Sequence, residues 1–262
     1  MRERRQWKKH YCRLDGGCFA KKGYETLVLD DDASNPEGLI RLMFGRGVNN
    51  APKPLIEFFG GIGVVTCPVD DPSPLTRVND SVPVPEKRID IVREIPPEYY
   101  IKEKGISLFQ AGKIETYGQG CDGPIEKAVR DFMVQGDWVS LIDMKAGVEH
   151  FGRKIPDTMD IILAILYPTL ESVSIVKRIE SFCKETGMKN FWLILNKISS
   201  KEMESMMMEK LDGLKSRAIG SVSYDPEVAK SGLEGGFLVT CNAQDDVKQI
   251  INRLEKLVSE EK

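Results

Sequence analysis

Short apolar runs that end in an acid or an amide recur along this chain, with stretches of helical spacing between them. Thr26-Leu-Val-Leu-Asp30, Trp138-Val-Ser-Leu-Ile-Asp143 and Phe191-Trp-Leu-Ile-Leu-Asn196 all have this form. Such runs predict parallel strands buried on both faces, with their carboxyl ends at a site. Ile106–Gln110 and Ile161–Leu166 read as further strands. Ile125–Val134, Val173–Thr186, Lys201–Leu214 and Asp245–Glu260 carry helical spacing. Residues 67–97 hold seven prolines and read as a loop or lid rather than a helix. Strands alternating with helices predict an α/β fold: a doubly wound, mostly parallel sheet flanked by helices. That reading covers residues 17–262 as one domain and leaves residues 1–16 as an aberrant segment.

Composition narrows the function classes. A chain of 262 residues can bury a large core of its own. A net charge of −3 gives no global attraction to nucleic acid or to an anionic membrane. No apolar run approaches the ~20 residues of a membrane span. The N-terminus lacks the apolar core of a secretory signal, which predicts a cytoplasmic protein. The six cysteines, Cys12, Cys18, Cys67, Cys121, Cys183 and Cys241, are scattered and read as free thiols.

Three strand ends carry candidate chemistry. Asp30-Asp31-Asp32 can hold Mg²⁺ through water and orient an attacking water, although an acidic triplet also suits a solvated turn. Asp143-Met-Lys-Ala-Gly147 offers a metal-reaching carboxylate and a glycine amide able to follow a γ-phosphate; a plain strand-to-loop turn reads the same way. Asn196-Lys197 can pair with a purine edge or cap a turn. All three lie where open α/β sheets bind ligands. His150, just beyond Gly147, suits a general base or a structural hydrogen bond. Met206-Met-Met208 reads as packing rather than a copper site.

Together with Gly112-Lys-Ile-Glu115, Gly118-Gln-Gly-Cys121, Tyr224-Asp-Pro-Glu-Val228 and Leu233-Glu-Gly235, these segments resemble the MinD/ParA group of P-loop ATPases. Within it they resemble most the CooC-type accessory ATPases that help insert nickel into carbon monoxide dehydrogenase. Asp143-Met-Lys-Ala-Gly-Val-Glu-His150 and Gly112-Lys-Ile-Glu115 carry the resemblance to that branch. It implies that Asp32 orients the hydrolytic water with Asp30 beside it, and that Asp143 and Gly147 form a second switch. It implies that Asn196 contacts adenine and that Pro226 and Glu227 flank the base. It implies ATP and Mg²⁺ as cofactors, a homodimer closing on ATP, and a client metalloenzyme such as carbon monoxide dehydrogenase; the charge balance adds the expectation of neither membrane nor nucleic acid as partner.

Two departures stand out. CooC-type proteins carry Cys-x-Cys where this chain has Cys121-Asp122-Gly123. Two Cys121 thiolates across a dimer fall short of the four ligands usual for zinc, so no tight zinc or nickel site is expected unless Asp122 or His150 adds donors. The second departure is the phosphate-binding loop. Met1–Asp15 is basic and polar where a strand and a glycine loop are due. Read one nucleotide later, Trp7–Lys8 can only encode Gly, Lys8–Lys9 only Lys or Arg, Lys9–His10 only Asn or Ser, and His10–Tyr11 only Ile or Thr. One choice of codons for Glu3–Asp15 yields RGGSGKSTIVALM, a phosphate-binding loop entering a helix. A reading-frame change ahead of Gly16–Gly17 is therefore expected, with a first strand upstream. Its loss would leave strand edges unpaired.

The rival readings are a non-catalytic interaction protein that has lost this loop, and a MinD/ParA-like positioning ATPase. The final helix is amphipathic but mixed in charge, which points to packing rather than to a membrane anchor.

Overall fold

The structure, a computed structural model, describes residues 17–35, 37–234 and 243–260. The expectations for residues 1–16, Gly235 and Cys241 lie outside the described residues. Those described fall into two compact units, residues 17–158 and residues 159–234 with 243–260.

The first unit holds β1 (Glu25–Asp30), β2 (Tyr100–Glu103), β3 (Ile106–Gln110) and β4 (Trp138–Asp143) in the order β2-β3-β1-β4. β1 runs parallel to both neighbours, with Thr26 opposite Ile106 on one side and Val139 on the other. A central parallel strand is covered on both faces, which explains its unbroken apolar run. Val28, Leu108, Ile101 and Ile106 pack there against Leu39, Ile40 and Met43 of the segment leading into and forming α1 (Ile40–Phe44). β2 was not legible in the sequence. It pairs antiparallel to β3 through a two-residue turn, Lys104-Gly105, with φ of 51° and 77°. Two consecutive left-handed residues give the tight turn whose twist matches a hairpin.

After α2 (Leu55–Phe58), residues 67–97 are mostly irregular, as their prolines predict, but one helical turn, α3 (Ile91–Glu94), interrupts them. The Asp90 carboxylate caps it, accepting from Val92 N at 3.1 Å and Arg93 N at 3.2 Å. The segment is strapped rather than loose. The buried Arg77 guanidinium pairs with Asp80 and Glu94 and donates to the Lys87 and Arg88 carbonyls at 3.2 and 3.1 Å. Lys127 of α4 (Gly123–Asp131) donates to Asp71 Oδ2 at 2.7 Å, and Asp131 accepts from Leu75 N at 2.8 Å. Arg77→Ala leaves the half-buried Glu94 without its cation and two carbonyls without their donor, so we expect a loss of about 1–3 kcal/mol. Faster tryptic cleavage at Lys87, Arg88 and Arg93 is the readout, and unchanged cleavage would contradict it.

The chain continues through α5 (Glu149–Gly152) to the second unit. There β5 (Ile162–Leu166), β6 (Phe191–Ile198) and β7 (Ala218–Ser223) form a parallel sheet in that order. Helix α6 (Leu170–Thr186) starts where the Thr169 hydroxyl accepts from Ser172 N at 3.2 Å, and it stops at Gly187 with φ of 74°. Ser200 caps α7 (Lys201–Leu211) in the same way. In the three-methionine run Met207 is buried and Met206 exposed, in keeping with packing. β7 has too few large apolar residues to be legible. Its Gly220 explains why: a Cβ there would lie 2.6 Å from Ile250 of α9 (Ala243–Glu260), so the small residue permits close helix–strand approach. Helix α8 (Pro226–Glu234) precedes α9.

β4 and β5 each stand at an end of their sheet among the described residues. Both are apolar, yet most of their residues are only half-buried, in contrast to the fully buried β3.

Candidate functional site

β1 and β4 stay in register to their last residues, so Asp30 lies opposite Asp143. Asp31 N donates to the Asp143 carbonyl at 3.1 Å. The acidic triplet and Asp143 therefore meet at adjacent strand ends, and all four side chains are buried rather than solvated. The turn alternative for the triplet fails on that burial.

Asp30 is a clamp. Its Oδ2 accepts from Leu39 N at 2.8 Å and pairs with Lys113 Nζ at 3.1 Å, while Oδ1 accepts from Asp32 N at 3.1 Å. Lys113 also donates to the Asp32 carbonyl at 2.9 Å. The loop after β1 is thus folded back onto its own strand end. Gly38 makes room for this: a Cβ there would sit 1.8 Å from Asp30 Oδ2, and φ is 52°. Asp32 Oδ1 accepts from the Ser34 hydroxyl at 2.6 Å and Ser34 N at 3.2 Å. Beyond β4, Gly147 has φ of 134°, and a Cβ there would meet Glu149 Oε2 at 2.0 Å. A side chain there would be strained by that backbone and would have to displace the Glu149 carboxylate.

A second constellation surrounds the first. His150 is buried, and its Nε2 lies 3.0 Å from the Lys145 carbonyl, so that nitrogen carries the hydrogen. This is the structural hydrogen bond foreseen for His150. Burial, above all, pushes its pKa down. The other nitrogen, Nδ1, faces Glu126 Oε1 at 3.4 Å and Asp31 Oδ2 at 3.9 Å. Burial, and then the Glu126 charge, raise the Asp31 carboxyl well above its ordinary range. Glu126 is at ion-pair distance from Lys145, 2.9 Å, and Arg153, 2.6 Å. Burial alone would raise Asp122, but Lys145 and Arg153 bind it and hold it below the usual carboxylate range.

No protein-family profile matches the chain. An uncharacterised ATP-binding protein of Methanocaldococcus jannaschii is 31% identical over 243 residues, which are 91% of each chain. The chain belongs to the MinD/ParA group of P-loop ATPases. The carbon monoxide dehydrogenase accessory protein CooC of Rhodospirillum rubrum is 26% identical over 148 residues, 55% of this chain and 56% of CooC. Among solved structures, the septum site-determining protein MinD of Pyrococcus horikoshii, complexed with Mg-ADP, covers 98% of this chain and 94% of its own at a TM-score of 0.63. At 13% identity that likeness shows the shared fold alone.

Within this group's pattern, the first unit brings together Asp30, Asp32 and Asp143, with Gly147 following on the same loop. Sequence reasoning missed Lys113 and Glu126 as parts of the site, and gave Asp31 a place only within the acidic triplet. Lys113 had a signal, since the quoted Gly112-Lys-Ile-Glu115 segment directly follows β3. Asn196, Pro226 and Glu227 belong to the second unit. Asn196 is buried at β6 and its Oδ1 accepts from Lys197 N at 2.8 Å. Lys197 itself has φ of 60°. Pro226 and Glu227 are exposed at the first turn of α8, and Asp225 Oδ1 accepts from Glu227 N at 2.9 Å.

Cys121 is exposed. A Cβ on Gly123 would lie 2.6 Å from Cys67 Sγ and 3.4 Å from Cys121 Sγ, so the Cys67 sulfur fills the space a second cysteine at 123 would need. Neither donor suggested to supplement Cys121 is available to it: Asp122 is held by Lys145 and Arg153, and His150 faces Asp31 and Glu126. The thiols should differ sharply in reactivity. Burial pushes Cys183 up to about 11. At about pH 8 roughly a thousandth of it is thiolate, so Ellman's reagent should label Cys121 at once and Cys183 only on unfolding. Prompt labelling of Cys183 in the folded chain would contradict this packing.

Proposed function

We propose that this protein descends from, and in its intact form acts as, an ATP-hydrolysing maturation factor of the CooC-like branch, assisting assembly of a nickel or iron–sulfur enzyme. The observation that carries the reading is the register of β1 and β4, which sets Asp143 opposite Asp30, two residues ahead of the buried Asp32. These are hard oxygen donors, and they fit Mg²⁺. Bound there with nucleotide, the ion would neutralise phosphate charge. Asp32, steadied by Ser34 and by the Asp30–Lys113 clamp, orients the water; Asp143 and the strained Gly147 respond to the γ-phosphate. Asn196, Pro226 and Glu227 receive the base, and two copies close on ATP.

The phosphates need backbone amides and a lysine that Met1–Asp15 as written does not encode. The apolar, half-buried strand β4, at an end of its sheet among the described residues, supports a missing neighbour strand as well as a missing loop. The basic sequence of residues 1–16 favours a second reading, a non-catalytic interaction protein. Sequencing the gene across its first codons and the region upstream separates the two. A shifted frame that rejoins at Gly16–Gly17 and extends upstream into an apolar strand supports the ATPase, and a fluorescent ATP analogue should bind that product. Codons incompatible with the shift, together with no nucleotide binding, leave the interaction protein. Binding to liposomes or DNA would instead favour a MinD/ParA-like positioning ATPase. No helix of the described residues is long and apolar enough to cross a membrane.

A further inference from the structure

Asp31, Glu126 and His150 offer ligand atoms that all lie within 4.8 Å of one another, and all three residues are buried. Among the described residues, neither Asp31 oxygen receives a hydrogen bond, and His150 Nδ1 has none either. The Asp31 side chain is 0% exposed and that of His150 4%. An unbonded buried carboxylate costs free energy unless something compensates it. The histidine is arranged as metal-bound histidines are: the far nitrogen gives its hydrogen to a backbone carbonyl, here that of Lys145, which turns the lone pair of the near nitrogen inward.

We propose that Asp31, Glu126 and His150 form a binding site for a borderline divalent ion such as Zn²⁺, separate from both the Mg²⁺–nucleotide site and the Cys67–Cys121 thiols. The donor set argues the class. Two carboxylate oxygens and one imidazole nitrogen suit zinc and its transition-metal neighbours, whereas Mg²⁺ prefers oxygen throughout. Distances agree. Ligands about 2.0–2.2 Å from a tetrahedral ion stand about 3.3–3.5 Å apart. His150 Nδ1 and Glu126 Oε1 already do so at 3.4 Å, and Asp31 at 3.9 Å needs only a small side-chain rotation. Glu126 can keep Oε2 on Arg153, at 2.6 Å, while Lys145 shifts from Oε1 toward Asp122, which it already binds. The three ligands come from the end of β1, from α4 and from α5, which follows Gly147. A bound ion would therefore tie the second switch to the first strand end.

The test uses the full chain and three ions. Zn²⁺ should raise the melting temperature of the protein, Mg²⁺ should not, and Co²⁺ should give a visible spectrum of nitrogen and oxygen ligation without thiolate charge-transfer bands. The C67S/C121S variant should bind as the parent does. D31N should weaken Zn²⁺ binding by ~100-fold, at the upper end of losses seen when a site's supporting residues are removed. Without metal D31N should melt no lower than the parent, because it buries no unpaired charge. The proposal is overturned if D31N binds Zn²⁺ as tightly as the parent, if C67S/C121S abolishes binding, or if no ion shifts the melting curve. The Co²⁺ spectrum of C67S/C121S decides the matter even if D31N fails to fold.

Discussion

The product of the corrected reading frame should hydrolyse ATP at least ~100-fold faster than the chain as written, because losing even one preorganised donor to a developing charge costs that much. The chain as written should show no hydrolysis above background. Asp30, Asp32 and Asp143 are acceptors, and nothing about a cluster of buried carboxylates attracts a triphosphate. The nearest lysine with a defined place, Lys113, is spent on Asp30 and on the Asp32 carbonyl. Glycine amides and a free lysine must come from elsewhere, and the shifted frame places Gly-Lys-Ser-Thr at positions 7–10, ahead of the helical residues 17–21. In the corrected protein, Asp32→Ala and Asp143→Ala should each return hydrolysis close to background while a fluorescent ATP analogue still binds. Steady-state phosphate release on the four proteins measures all of this. Hydrolysis by the chain as written, or full activity in both alanine variants, would remove the assignment.

The strands that carry chemistry were legible because burial on both faces leaves no polar alternation: β1, β4 and β6 each read as an apolar run closed by Asp or Asn. β2 and β7 were not. β2 is short and follows a proline-rich stretch, and its turn uses Lys104-Gly105 in place of an asparagine-glycine signal. β7 is built of small residues so that α9 can approach. The same physics governs the site. Asp32 and Asp143 stand out because strand ends are where open sheets bind ligands. Glu126 could not be found in this way. It lies in α4, every residue of which is buried, and its partners Asp31, His150, Lys145 and Arg153 come together only through the tertiary fold. Asp122 illustrates the converse. It sits beside Cys121 in sequence and so looks like an extra metal donor, yet two cations pull it elsewhere.

Lys113→Met should cost about 3–5 kcal/mol of folding stability, the penalty for leaving one member of a buried ion pair uncompensated. Lys113 and Asp30 are 4% and 2% exposed and 3.1 Å apart, so water cannot stand in for the missing ammonium. The loss falls on the first switch as well as on the fold. Lys113 Nζ also holds the Asp32 carbonyl at 2.9 Å, and Asp30 anchors the turn at Leu39 N and Asp32 N. For a chain of this size the destabilisation corresponds to a melting-temperature drop of roughly 6–20 °C. The double variant D30N/K113M removes both charges and keeps an amide that can still accept from Leu39 N. It should recover more than half of the loss, giving a coupling energy of about 1–3 kcal/mol. Gly38→Ala probes the same clamp from the other side. Its methyl group would displace the Asp30 carboxylate from Lys113, so its effect should shrink in the D30N/K113M background. Urea unfolding of the parent, D30N, K113M and D30N/K113M provides the cycle. If K113M is as stable as the parent, or if the double variant is no better than the single one, the buried pair does not organise the loop, and Asp30 returns to the list of carboxylates available to bind metal.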